Sequence, residues 1–237
     1  MPYKKSKARK TLQLEFKGIS ERLRAVQRGS IDQGVKEYVL AASIFLAHAS
    51  LENYISDVFS DFAKGIQSVA KKGGDLPDNL RSHLFLHNLN KVKIYGAAIG
   101  LNSEKEAIES LNNSLKGYAG AVVDNSRDIF ILNGKHIYTN YKYPSKDNLI
   151  RVFERVGVNK IFKVLSARMK RDSAAVLESI GDLRTQLAHT GQIPGISAKD
   201  IINRIGDVES FVGAMDRVLY GIIVAKYKQA AWDGYLV

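Results

Sequence analysis

The stretch "SAKDIINRIGDVESFVGAMDRVLYGII" (residues 197–223) carries the cleanest periodicity in the chain. Ile201, Ile205, Val208, Val212, Met215, Leu219 and Ile222 recur at steps of three and four, the spacing of one helix face. Ser197, with Asp200 in the first turn, marks where that helix starts. An apolar stripe of this length has to be covered by other elements, and the chain offers three. A helix from about Ser173 carries Val176, Ile180, Leu183 and Leu187 and ends near Gly191 and Pro194. In "TLQLEFKGISERLRAVQRG" (11–29), Leu12, Phe16, Ile19, Leu23 and Val26 form one face, and Gly29 is the stop. The segment from about 33 to 69 repeats the pattern through Tyr38, Ala42, Phe45, Ala49, Phe59 and Ile66. Four long amphipathic helices must bury their stripes together, which predicts an all-α helical bundle.

Shorter elements lie between them. "KKGGDLPDN" (71–79) breaks the second helix with two glycines and a proline. Ser103 and Glu106 form a capping-box pattern opening a short helix to about Lys116. In "FILNGKHIY" (130–138), Asn133-Gly134 between β-prone residues predicts a small β-hairpin. Ser145 caps a helix through Val156 that Gly157 ends, and another runs from about Asn159 to Lys170. Residues of about 73–145 therefore read as an insertion carrying the hairpin. Residues 1–237 form a single domain with a basic tail at 1–10.

Composition excludes several kinds of chemistry. There is no cysteine, hence no disulfide, thiolate nucleophile or iron–sulfur cluster. No apolar run approaches the roughly 20 residues that cross a bilayer. "MPYKKSKARK" (1–10) is basic without an apolar segment after it, unlike a secretory signal. The expectation is a soluble cytoplasmic protein with no membrane partner. Lysine and arginine number 35 against 24 acids, a formal charge of +11, which favours a polyanionic partner. Basic residues crowd the first ten positions and the run from Arg151 through Arg155, Lys160, Lys163 and Arg168 to Arg171. A nucleic acid is the partner this suggests, with Arg151, Arg155 and Lys160 as candidate phosphate ligands. There is no phosphate-binding loop, no HExxH and no GxSxG. His48, His83, His87, His136 and His189 do not group with carboxylates at metal-ligand spacing, so no histidine-based metal site is expected, and a carboxylate-only magnesium site stays open at this point.

Two places stand out chemically. Glu52 falls on the apolar stripe of its helix with His48 one turn earlier, and a carboxylate there needs a partner. Glu52 is expected to be substantially buried and within hydrogen-bonding reach of a histidine or arginine of the bundle, Arg184 being the preferred partner; the alternative is a position at the stripe's edge with a local pair to His48. In "DLRTQLAHTG" (182–191), Leu183 and Leu187 continue an apolar stripe, whereas Arg184 and His189 stand apart from it. A five-residue step turns a helix by about 140°, so these two converge only if the helix ends before His189.

The segments "LAHASLENYISDVF" (46–59), "NLIRVFERVGVNKIFKVL" (148–165) and "LRTQLAHTG" (183–191), followed by a long amphipathic helix, resemble HEPN domains. The nearest branch is the bacterial RiboL-PSP-HEPN type and its relatives in toxin and phage-defence loci. The resemblance covers about residues 33–70 and 145–225. It implies a HEPN-type bundle whose signature is an arginine, a spacer of four to six residues and a histidine, here Arg184 and His189. Thr185 follows the arginine where the family often has asparagine or another polar residue. Arg81 to His87, "RSHLFLH", matches the same pattern but lies in the insertion. The resemblance further implies a homodimer acting as a metal-independent endoribonuclease that needs no organic cofactor, supported by Glu52, Thr185 and His48, with an antitoxin protein as a candidate partner. Two other readings remain open: a non-catalytic scaffold that binds RNA, nucleotide or protein, and a basic helical DNA-binding protein. No helix-turn-helix pattern supports the last.

Overall fold

The computed structural model describes residues 2–86, 120–139, 143–191 and 195–237. Seven α-helices are bounded among them: α1 (Lys7–Arg28), α2 (Gln33–Val69), α3 (Gly134–Tyr138), α4 (Lys146–Arg155), α5 (Ile161–Met169), α6 (Ser173–Thr190) and α7 (Ala198–Tyr235). The helix expected at 103–116 and His87 lie outside the described residues. No described helix is long and apolar enough to cross a membrane.

The helix ends follow local chemistry. The Asp32 carboxylate accepts from Gly34 and Val35 N–H groups at the start of α2. Ser145 accepts from Asn148 at the start of α4, and Ser197 and Asp200 form a reciprocal capping box on α7. Gly157, at φ +89, follows α4 where the chain must turn through the left-handed region. α1, α2 and α7 pack against one another, and α6 lies against α2 and α7. All five stripe residues of α1 are buried, as are Ile201, Ile205, Val208, Val212, Met215 and Leu219 of α7. Each large apolar side chain so buried contributes about 1.5–3 kcal/mol.

The expected β-hairpin does not exist. Among the described residues there is no strand, only an isolated bridge between Lys72 and Asp128. Residues 134–138 form the short helix α3 instead. The Asn133-Gly134 pair misleads because its glycine serves packing, not a turn. A Cβ at Gly134 would lie 2.5 Å from Ser60 Oγ and 2.8 Å from Ser60 Cα, so only glycine lets α3 approach the backbone of α2 this closely. Leu132, Ile137 and Tyr138 then join the common core.

A second correction concerns α2. Its inner face in the first half is Leu40, Ile44, Ala47, Leu51 and Ile55. The stripe read from the sequence is on the other side there: Tyr38 is 75% exposed and Phe45 39%, and Ala49 is also exposed. Only farther along, at Phe59 and Ile66, is that stripe core.

The first residues are docked and not a free tail. Asp216, wholly buried in α7, accepts hydrogen bonds from Tyr3 Oη (2.6 Å), Ser6 N–H (3.0 Å) and Ser6 Oγ (2.5 Å). Trp232 Nε1 donates to the Lys4 carbonyl at 2.9 Å.

Candidate active site

α6 positions the arginine–histidine motif. Its N-cap, Asp172, accepts from Ala174 and Ala175 N–H groups, and Val176, Leu177, Ile180, Leu183 and Leu187 anchor its inner face. Arg184 lies on the flank of that face and is half-buried. Its guanidinium carbon is 5.9 Å from the centroid of the Phe45 ring and 6.0 Å from that of Tyr143. Two rings thus flank a permanent cation, each contact contributing about 0.5–1 kcal/mol while the fork is left for an anion. Among the described residues no carboxylate pairs with it.

The neighbouring wall is built by α2. His48, 3% exposed, packs its ring at 5.0 Å from Tyr143, and its Nδ1 lies 3.2 Å from Glu52 Oε1. Burial pushes the His48 pKa below its ordinary 6.5; the Glu52 charge opposes this and Arg184 adds to it. Neutral His48 then donates Nδ1–H to Glu52. The Glu52 carboxylate meets a histidine, one of the two kinds of partner expected, but not the preferred Arg184, and it is less buried than expected. Its side chain is 36% exposed and its partner is His48, one turn away on the same helix, because Arg184 is held over the two rings instead. His48, Glu52, Phe45, Tyr143 and Arg184 therefore form one cluster.

His189 does not join it within one chain. α6 runs on through Thr190, and Gly191 at φ +64 ends it with its N–H bonded to the Leu187 carbonyl. His189 is thus in the last helical turn and not beyond the helix end. It lies about 7.5 Å along the axis from Arg184 and about 140° around it. It is exposed, as is Thr185, which lines a cavity of about 320 Å³ with Tyr143, Ser145, Lys146 and Asp182.

Of the candidate phosphate ligands, Arg151 and Lys160 are exposed. Arg155 is not: it is 9% exposed, and its Nη1 donates to the Ile137 carbonyl (2.5 Å) and Thr139 Oγ1 (3.0 Å), tying α4 to α3. Arg81 of the second arginine–histidine match is likewise engaged, donating from Nε to the Val122 carbonyl at 3.2 Å. Among the described residues no three histidine or acidic side chains come together as a metal site. Sequence reasoning missed Tyr143 altogether and read Phe45 as core. A tyrosine before Pro144 gives no signal that it will meet Arg184, 41 positions later, and His48, 95 positions earlier.

The profile of the RiboL-PSP-HEPN family matches residues 10–221, nearly the whole bundle. The chain belongs to the RiboL-PSP-HEPN family. That membership supports a role in RNA binding or endoribonucleolytic cleavage at the level of the family. No curated protein and no solved structure gives a significant match to the chain.

Proposed function

We propose that this protein is a metal-independent endoribonuclease in which Arg184 and His189 carry the chemistry. RNA brings its own nucleophile, the 2′-hydroxyl. His189 takes that proton, O2′ attacks phosphorus, and the P–O5′ bond breaks, leaving a 2′,3′-cyclic phosphate and a 5′-hydroxyl. Arg184 holds the charge that develops on the phosphorane oxygens. The departing O5′ needs a proton, which one histidine cannot both take and give in a single concerted step. A homodimer supplies a second motif to the same cleft, with Arg151 and Lys160 holding flanking phosphates. In this reading the protein acts in the cytoplasm as a toxin or antiphage effector, restrained by an antitoxin protein.

The observation that carries the proposal is the state of Arg184 within a family of this kind: a half-buried guanidinium flanked by two rings, with no carboxylate on it among the described residues. The divergence of Arg184 and His189 along α6, together with Thr185, favours the second reading, a scaffold that binds RNA or protein without cutting. Incubating the purified protein with total RNA in EDTA separates the two. Discrete new 5′-hydroxyl ends support the nuclease; intact RNA that co-migrates with the protein supports the scaffold.

A further inference from the structure

A cavity of about 320 Å³ opens between the start of α4 and the outer face of α6. Tyr143, Ser145, Lys146 and Asp147 line one side of it, and Glu178 and Asp182 the other. Its place ties it to both halves of the arginine–histidine motif. Glu178, Asp182, Thr185 and His189 follow one another along α6 at steps of four, three and four, which sets them on one face. The cavity takes in Thr185 as well, so His189 stands one turn past its edge. Tyr143, on the other side, is one of the two rings beside Arg184.

The lining decides which part of a nucleotide fits. In a chain of formal charge +11 this wall is acidic, with Asp147, Glu178 and Asp182 against Lys146. Lys146 Nζ is 3.9 Å from Glu178 Oε1, which leaves Asp147 and Asp182 with no ion pair or side-chain hydrogen bond among the described residues. Free carboxylates repel a phosphate. Nor do they form a cation site, since among the described residues no three acidic or histidine side chains come together to hold a metal. An uncharged base carrying N–H donors suits them. Tyr143, 36% exposed, gives such a base an aromatic surface to stack on.

The two sides of the cavity differ in hydrogen-bonding sense. Asp182 offers two acceptor oxygens and no donor. The first N–H groups of α4 have no acceptor within the helix. Ser145 Oγ takes that of Asn148, which leaves those of Lys146 and Asp147 as donors. Guanine is the base whose Watson–Crick edge answers both sides. Its N1–H and N2–H donate side by side to one carboxylate, and its O6 accepts next to them. Uracil presents one donor between two acceptors. Adenine and cytosine present an amino donor beside a ring nitrogen with a lone pair, which a carboxylate repels. We propose that this cavity holds a guanine base next to the cleaved phosphate, and that Asp182 is the residue that reads it. The place beside the scissile bond rests on the ribonuclease reading; the match of the lining to guanine does not.

One measurement of binding and one of cutting test this. Binding uses heptamers of 2′-fluoro nucleotides, which lack the attacking hydroxyl, with guanine, hypoxanthine, adenine, cytosine or uracil at the centre of a uracil run. The parent should bind the guanine heptamer at least about tenfold more tightly than the adenine one. Hypoxanthine, which differs from guanine only by the missing N2 amino group, should fall between them. Asp182→Asn turns one acceptor into a donor, so guanine's advantage over adenine should shrink to about twofold or less. The variant should melt with the parent, because Asp182 is exposed. A packing role for Asp182 would weaken all the heptamers alike. Cutting uses the corresponding RNA heptamers, whose new ends should lie beside the guanine. Equal binding of the guanine and adenine heptamers overturns the proposal, and so does a guanine preference that Asp182→Asn leaves unchanged. Guanine-selective, Asp182-dependent binding without any cutting keeps the cavity's assignment and removes the ribonuclease reading. Cutting without base preference does the reverse.

Discussion

His48 Nδ1 lies 3.2 Å from Glu52 Oε1, and the histidine is buried while the glutamate reaches solvent. Folding therefore holds His48 neutral below the pH at which it would be charged in the unfolded chain, where its pKa is 6.5. The unfolded state binds more protons in that window, so this group's contribution is intact above pH 6.5 and is lost as pH falls towards the lowered folded value. Denaturant titrations on both sides of pH 6.5 should show the parent losing stability on the acid side. His48→Gln, which cannot titrate, should show a smaller loss. Equal slopes for the two proteins would mean that His48 is not held neutral by the fold.

Asp216 should be a strong determinant of stability. Asp216→Ala leaves two buried donors of Ser6 and the half-buried Tyr3 hydroxyl without their acceptor, at a cost of about 3 kcal/mol. Deleting residues 1–6 should lower stability by a similar amount, and adding the deletion to Asp216→Ala should cost little more. Additive losses would show that the N-terminal segment and Asp216 act independently.

Gly134→Ala sets helix propensity against packing. Alanine favours a helix by about 1 kcal/mol over glycine. The new Cβ, however, would overlap the Ser60 backbone, where overpacking costs about 1–3 kcal/mol. The expected result is a lower melting temperature. A rise would mean that α3 can move off α2 at no cost.

Much of the bundle was legible in the sequence, because helix ends are set by neighbours along the chain. Asp32, Ser145 and Ser197 act as caps where hydroxyl or carboxylate precedes a periodic run, and α2 spans Gln33–Val69 as read. What needed the third dimension was less readable. Periodicity shows that α2 carries apolar stripes but not which of two the monomer covers, and both recur at steps of three and four. Gly134 looks like a turn glycine because its close approach to Ser60 is invisible in one dimension. For the same reason, Asp216 drew no notice inside the most regular helix of the chain. Arg184 and His189 stand out in the sequence because neither belongs to the Leu183–Leu187 stripe; that α6 continues past His189 to Gly191, and so keeps them apart, is set by the helix end.

The shape of the guanidinium should matter as well as its charge. Arg184→Ala is expected to slow RNA cleavage by about 100- to 1000-fold, the usual loss when one charge-stabilising donor is removed. Arg184→Lys should recover only part of this, because an ammonium lacks the planar fork that bridges two phosphate oxygens. Full activity in the lysine variant would reduce Arg184 to a point charge.

The central claim turns on His189, which is exposed at the end of α6 and contributes little packing. His189→Ala should melt within about 0.5 kcal/mol of the parent. The measurement is the rate at which a defined RNA is cut, in EDTA, by the parent and by His189→Ala side by side, with product ends identified. The parent should cut and leave 2′,3′-cyclic phosphate, and the folded variant should leave the RNA intact. Equal cutting by both proteins would contradict it.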